Sequence, residues 1–556
     1  MALRKSASQC LLAFLLLCTA ITTDARQDAP LPKAMSLITE EGLRFHLNVI
    51  ANDETEGRNT PSAGVNIVSR YLATVAEQYG LKPIVPGGSY FQNIPMDVTL
   101  VSESRSRLRI LSQTGESVFY CPQSFLGTTA GAWAGEVVFV GYGLSVPDKG
   151  WDDYGKVELA GRSVIMLEGQ LPEGNPLRAD RAALATRTST PRSKGAALVL
   201  TVISPEREKE MAARGAGFQI TPRATLLSTF PTQNQARISA NPQPPARSGQ
   251  PPQQAAARPA APVGTAEIRH EVAAAILGIS KEELDEMFAT IASGKQVPGK
   301  AVNKRAELSV ITERRPGSSP NVLAVMEGSD PVLRSEYVVV SSHHDHLGMR
   351  NGRAMNGADD NGSGTVGMLE IAKALAAAKP KRSVILAWFT GEEKGLWGSH
   401  YFVNNCPVPL EKISASLNLD MISRNDPKSL FLIASDNLSK ELDASIRAMN
   451  DSYSKLTFDY VYNNRAHPDR FYYRSDQYPF IRMGIPGVWI FCGTTPDYHT
   501  PNDVIARVDF KKMEKVTRMI YLVTLDIGNK PALLKLDANP EVTTRGKHNT
   551  AVDSIR

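Results

Sequence analysis

Several large classes of protein are excluded by what this sequence lacks. Its 556 residues hold five cysteines, and no C-x-x-C pair occurs among them. A zinc site built on thiolates is therefore not expected. Cys10 and Cys18 fall in an apolar leader, which leaves Cys121, Cys406 and Cys492. Three thiols admit one internal disulfide at most, for example between Cys406 and Cys492. No G-x-S-x-G occurs, which argues against a serine esterase of the α/β-hydrolase kind. His270-Glu271 opens like H-E-x-x-H, but Ala274 stands where the second histidine is needed. Gly362 to Gly367 matches G-x-G-x-x-G, yet an acidic loop rather than a strand precedes it, and those acids would repel a pyrophosphate. There is no long Lys/Arg run and the net charge is only +5, so a nucleic-acid partner is not expected.

Long apolar runs are scarce too. The one that stands out is Cys10 to Ala20, behind Arg4 and Lys5 and ahead of a small-x-small site ending at Ala20 or Ala25. This reads as a signal peptide over residues 1–25. It is too short to span a bilayer comfortably. The expectation is export to the periplasm or the extracellular space, with no stable membrane insertion after cleavage.

The rest of the chain has an ordinary globular composition, 42% hydrophobic and 21% charged. At about 150 residues per domain the length suggests two or three domains. Helical spacing appears over 39–51 and 65–79, within a first segment of the main domain at 34–112. Short apolar runs separated by turn residues then indicate a β-rich insert over 113–305. Inside it, 231–262 is dominated by Pro, Gln, Ala and Arg and reads as a disordered surface segment. From 306 to 532 strands alternate with helices. Strands are expected at 321–326, 337–342, 384–390, 413–420, 430–434 and 488–491. This predicts an α/β fold: a mixed, largely parallel central sheet flanked by helices, with the β-rich domain inserted. Residues 533–556 read as a polar tail.

The chemistry-bearing residues gather at the ends of those strands. His343-His344-Asp345-His346 follows the strand at 337–342. Asp359-Asp360 lies in the loop that leads to the next helix. Glu392-Glu393 closes the strand at 384–390, Asp420 ends the strand at 413–420, and His499 follows the strand at 488–491. Sites of open α/β sheets assemble at that carboxyl edge. Imidazole nitrogen and carboxylate oxygen are zinc donors. Two ions about 3.5–4 Å apart need a shared carboxylate. A further acid that is not a ligand can move the proton of water, and the adjacent Glu392 and Glu393 suit that division. Any one of these clusters alone reads as a solvated turn or surface loop; five on one edge do not.

The motifs around these residues resemble those of the M28 family of zinc peptidases, the aminopeptidase and glutamate-carboxypeptidase group. They are His343-His344-Asp345-His346-Leu347-Gly348, Gly357-Ala358-Asp359-Asp360-Asn361-Gly362-Ser363-Gly364, Phe389-Thr390-Gly391-Glu392-Glu393, Asn418-Leu419-Asp420-Met421 and Tyr498-His499-Thr500-Pro501. The resemblance implies two Zn2+ per chain. His343 and Asp420 would hold one, Glu393 and His499 the other, and Asp359 would bridge them. Glu392 would be the general base, and Asp345 would accept a hydrogen bond from His343 and fix its tautomer. A cis peptide bond would join Asp359 to Asp360. Tyr473 and Arg474 would contact substrate, and the insert would be a protease-associated domain. The implied activity is peptide hydrolysis through a metal-bridged water, foremost an aminopeptidase acting on peptides. A carboxypeptidase or dipeptidase of the same family, a one-zinc glutaminyl cyclase-like transferase and a non-catalytic binding relative are the alternatives.

Overall fold

The structure is a computed structural model that describes residues 31–155, 157–227, 263–350, 352–537 and 544–547. The leader expected at 1–25 and the segment expected at 231–262 lie outside the described residues, as does most of the expected polar tail. Among the described residues the chain builds two large sheets with separate cores, and two small two-stranded ones.

The larger sheet has ten strands. Its path runs Arg223–Leu226, Phe91–Val101, Thr312–Met326, Ser383–Phe389, Tyr337–His343, Ile413–Leu419, Gly487–Phe491, Ser429–Ile433, Thr457–Asp459, with Lys82–Pro83 on the side. Parallel pairing occupies its middle. Tyr337–His343 runs parallel to Ser383–Phe389 and to Ile413–Leu419, which is parallel to Gly487–Phe491. The flanks toward Phe91–Val101 and Ser429–Ile433 are antiparallel. The expected mixed α/β fold with helices on both faces is what forms.

Both faces are buried, and the central strands are mostly apolar with small polar residues such as Ser341, Ser416 and Asn418 among them, as parallel strands under two helical layers require. Side chains alternate between the layers. Val338 and Val340 pack on one face with Leu47, Leu369 and Val516. Val339 points the other way, to Phe389, Phe402 and Phe480. The first layer is made by Glu40–Ile50, Gly364–Ala377 and Phe510–Asn529, and the second by Trp397–Asn404 and Gln477–Arg482. Helix starts follow side-chain chemistry: Thr39, Ser62 and Asp509 each accept an N–H of the first turn.

The second sheet orders Gly115–Tyr120, Arg107–Ser112, Lys300–Val310, Gly131–Phe139, Ser163–Leu167, Leu198–Val202, Gly264–Ile268 and Phe125–Gly127. It begins at 107 and ends at 310, so strands assigned to the main domain by the expected limits of 113 and 305 belong to the insert. It also carries helices Arg181–Ser193, Pro205–Ala213, His270–Leu277 and Lys281–Ala292. The two connections between the units run side by side. Phe91–Val101 leaves and Thr312–Met326 returns as one antiparallel pair, with Val101 opposite Thr312. Arg223–Leu226, from within the insert, adds a strand to the outer edge of that pair.

Cys121, Cys406 and Cys492 are all free. The Cys406–Cys492 disulfide does not form, because Cys406 packs with the core on one face of the large sheet and Cys492 with the core on the other.

Candidate metal centre

Parallel strands deliver their carboxyl ends to one edge, and the site is made of what lies just past those ends. His343 is the last residue of its strand and sits in register with Phe389. Two residues beyond Phe389 the chain turns at Gly391, whose φ of 70° is left-handed and favours glycine. The turn Glu392–Lys394 that follows brings both glutamates into one site. Asp420 comes directly after Leu419 on the neighbouring strand. Asp360 lies in the loop ahead of Gly364–Ala377, and His499 in the segment after Gly487–Phe491.

The side chains converge around Asp360. His343 Nε2 lies 3.4 Å from Asp360 Oδ1, 3.4 Å from Asp420 Oδ1 and 3.8 Å from Glu392 Oε2. His499 Nε2 lies 3.1 Å from Asp360 Oδ2 and 3.3 Å from Glu393 Oε2. His346 Nδ1 is 2.7 Å from Glu393 Oε1. Donor atoms of His343, Glu392 and Asp420 all lie within 4.8 Å of one another, and so do those of His346, Asp360 and Glu393.

These carboxylates and imidazoles are largely out of water, His499 least so, and that sets their charge. Burial raises the Glu392 carboxyl well above the usual range, and Glu393, Asp420 and Asp476 add to it. Burial opposes ionisation of Asp360 and Glu393 as well, but the imidazoles around them win. Asp360 is held well below the carboxylate range, and Glu393 is lowered to about 2. In turn, burial works against charged His499, yet the Asp360 and Glu393 carboxylates beside it raise it to about 10. His343 is likewise raised well above its ordinary value, against burial, by Asp420 and Glu392.

The donors fit zinc. The set is imidazole nitrogen and carboxylate oxygen. Several of its atoms, among them Asp420 Oδ1, Glu393 Oε1 and His499 Nε2, are buried without a hydrogen-bond partner. Buried polar atoms are rarely left so unless something else engages them.

Residues 321–524 match the model described as peptidase family M28. That match covers a little over a third of the chain and holds the residues of the site. The chain is similar to a probable leucine aminopeptidase of Trichophyton verrucosum, 32% identical over 229 residues, covering 38% of this chain and 57% of that protein. A probable leucine aminopeptidase of Arthroderma benhamiae is 30% identical over 250 residues, covering 42% and 59%. The chain thus spans little more than half the length of these curated relatives. Among solved structures, the zinc aminopeptidase BSAP of Bacillus subtilis superposes with a TM-score of 0.50 at 16% identity, covering 91% of this chain and 98% of that one. That likeness concerns the fold.

Three expectations within the M28 motifs are corrected. Asp359 does not face both halves of the site; Asp360 does. The Asp359 carboxylate turns inward, where its Oδ1 accepts from the Ser423 N–H at 3.0 Å and the Ser423 hydroxyl at 2.6 Å. The non-proline cis bond joins Asp360 to Asn361, not Asp359 to Asp360. The Asp345 carboxylate also has a different partner from the one expected. His343 Nδ1 meets the Asp345 main-chain carbonyl at 3.1 Å, while the carboxylate accepts the Glu392 N–H at 3.1 Å. The backbone therefore fixes the imidazole, and the side chain fixes the turn that carries Glu392.

The other expected residues divide. His343, Glu392, Glu393, Asp420 and His499 come together. Tyr473 is buried in an aromatic cluster with Tyr472 and Tyr478. Arg474 is exposed and donates to the Tyr498 hydroxyl at 3.1 Å, and the Tyr498 ring stacks on His499. Sequence reasoning missed Asp503, whose two oxygens each accept at 3.0 Å from the N–H groups of Asp359 and Asp360. It also missed Arg58. That guanidinium is fully buried and donates to the carbonyls of His344, Ile50, Asn356 and Gly357. The charged loop Glu56-Gly57-Arg58 was the available signal for Arg58. For Asp503 it was an acid four residues after His499.

Proposed function

We propose that this chain is an exported aminopeptidase with two zinc ions, held by His343, Asp360 and Asp420 on one side and by Asp360, Glu393 and His499 on the other. The observation that carries the reading is the placement of Asp360: its two oxygens face the two imidazoles from opposite halves of one buried cluster. The chemistry such ions supply when bound is Lewis acidity, which polarises a carbonyl and acidifies water.

The chain's own residues do the rest. Glu392 Oε2 faces His343 at the edge of both clusters, and its side chain keeps some exposure. It accepts the proton of the attacking water and returns it to the departing amine. Asp345 holds the Glu392 main chain in place during that transfer. Arg474 and Tyr498 form a polar rim beside His499 where a peptide can be gripped. The choice of the N-terminal peptide end is supported by the leucine aminopeptidases to which the chain is similar. Export rests on the leader at 1–25, and the unit at 107–310 is read as a protease-associated domain.

The test has two arms. Glu392→Gln should keep both ions and lower kcat by about 10²–10⁴-fold, the range of general acid–base contributions. Turnover near that of the wild type would remove Glu392 from the role. A panel of free and amino-blocked peptides should show hydrolysis of the free ones; cleavage confined to blocked peptides would reverse the assignment of peptide end.

A further inference from the structure

His346 belongs to the motif after the central strand, yet the five-ligand arrangement gives it no task. It is fully buried, and its N–H donates to the Arg58 carbonyl at 3.1 Å. Its ring is placed edge-on to His499 with centroids 5.7 Å apart. Space for the ring exists because residue 357 is glycine: a Cβ there would come within 2.6 Å of the His346 ring. A loop histidine held this firmly, inside a ring of carboxylates, needs a partner.

The nearest candidate partner is Glu393, and a hydrogen bond to it is not what forms. His346 Nδ1 and Glu393 Oε1 are 2.7 Å apart, and neither atom makes a hydrogen bond. Distance is therefore satisfied and direction is not. The same condition, a buried donor atom in short contact and without a hydrogen bond, marks His499 Nε2 and Asp420 Oδ1. Separations agree with a shared coordination sphere. Ligand atoms about 2.0–2.2 Å from a tetrahedral zinc stand about 3.3 Å from one another. Around the His499 half the separations are 3.1 Å, 3.3 Å, 2.7 Å and 3.8 Å, the last from His346 Nδ1 to Asp360 Oδ2.

We infer that His346 is a sixth metal ligand, joining His499, Glu393 and Asp360 through Nδ1. This rests on the two-ion centre proposed above. It makes the two halves of the centre unequal: the half at His343 has one imidazole and the half at His499 has two. With a second imidazole in place of water, the His499 half is the more tightly held and the less open to substrate. Substrate then meets the His343 half, on the side where Glu392 lies.

The measurement is an X-ray absorption spectrum of the zinc-loaded full chain, beside zinc content and chelator competition. The wild type should hold two zincs and show three imidazole nitrogens shared between them. His346→Ala should show two imidazoles. It should also lose more than about a hundredfold in affinity for the ion of the His499 half, beyond the 10–100-fold cost of an outer-shell partner. Two zincs with only two imidazoles in the wild type would overturn this inference and leave the proposed centre standing. A wild type that binds no zinc would overturn both. If His346→Ala does not fold, the wild-type imidazole count decides alone.

Discussion

Replacing Arg58 by methionine should destabilise the protein by about 3 kcal/mol or more, and the structure shows where that comes from. The guanidinium is fully buried and meets four carbonyls, from Ile50, His344, Asn356 and Gly357, at 2.6–3.0 Å. Hydrogen bonds from a charged donor contribute about 1.5–3 kcal/mol each. Two of the four carbonyls keep another donor after the change: Thr55 for Ile50 and Gly362 for Gly357. That of His344 would be left buried without one, at about 1–3 kcal/mol, while the part-buried carbonyl of Asn356 would lose its donor at a smaller cost. Against this stands the cost of the buried charge. Burial lowers the Arg58 pKa from 12.5 to about 10, even though Asp345, Asp360, Asp503 and Glu393 pull the other way. That is about 3 kcal/mol relieved when the charge is removed. The hydrogen-bonding loss is the larger, so the balance is destabilising. Urea unfolding of the metal-free protein is the assay. Arg58→Lys, which keeps a charge but loses the planar fork, should fall between the two. A methionine variant within about 1 kcal/mol of the wild type would refute the reasoning, because it would mean that the carbonyls find other donors.

Other outcomes follow from the site. Asp360→Asn should cost the protein both zincs, whereas Asp359→Asn should leave zinc content near two per chain; metal analysis after dialysis separates them. Zinc binding should release protons. With no metal bound, His499 carries its proton up to about pH 10, so at pH 7 a cation must displace it; the upward shift of His343 acts in the same direction. Apparent affinity should therefore rise as pH rises, and calorimetric titration in buffers of different ionisation enthalpy should show net release. Proton uptake, or none exchanged, would contradict the imidazole charges described here.

Much of this was legible in the sequence because strand ends and chemistry coincide. The apolar runs at 337–342, 413–420 and 488–491 became Tyr337–His343, Ile413–Leu419 and Gly487–Phe491, each within a residue or so. What was not legible depends on backbone direction or distant contacts. Asp359 and Asp360 are chemically identical neighbours, and only the path of the chain through Asn361 decides which one faces the imidazoles. Asp503 is an acid among loop residues until its carboxylate is seen beneath the Asp359 and Asp360 amides. The strand Phe91–Val101 was overlooked although Ile94, Met96 and Val98 alternate as buried residues. Pro95 within the run counts against a central strand, and here one forms.

The paired strands Phe91–Val101 and Thr312–Met326 make the insert an enlarged hairpin tip. Its entrance and exit are next to each other, on the side of the sheet where His343 and Glu392 lie, so evolution could lengthen, shorten or exchange that tip without rethreading the central strands. An engineer could try the same excision with a short turn from 101 to 312. The cut would not be clean, because Arg223–Leu226 now shields the outer side of Phe91–Val101. Removing the tip would uncover the edge at Met96–Thr99, ready to pair with another copy. A trimmed version therefore needs a charged or proline-bearing edge before it can be expected to stay monomeric.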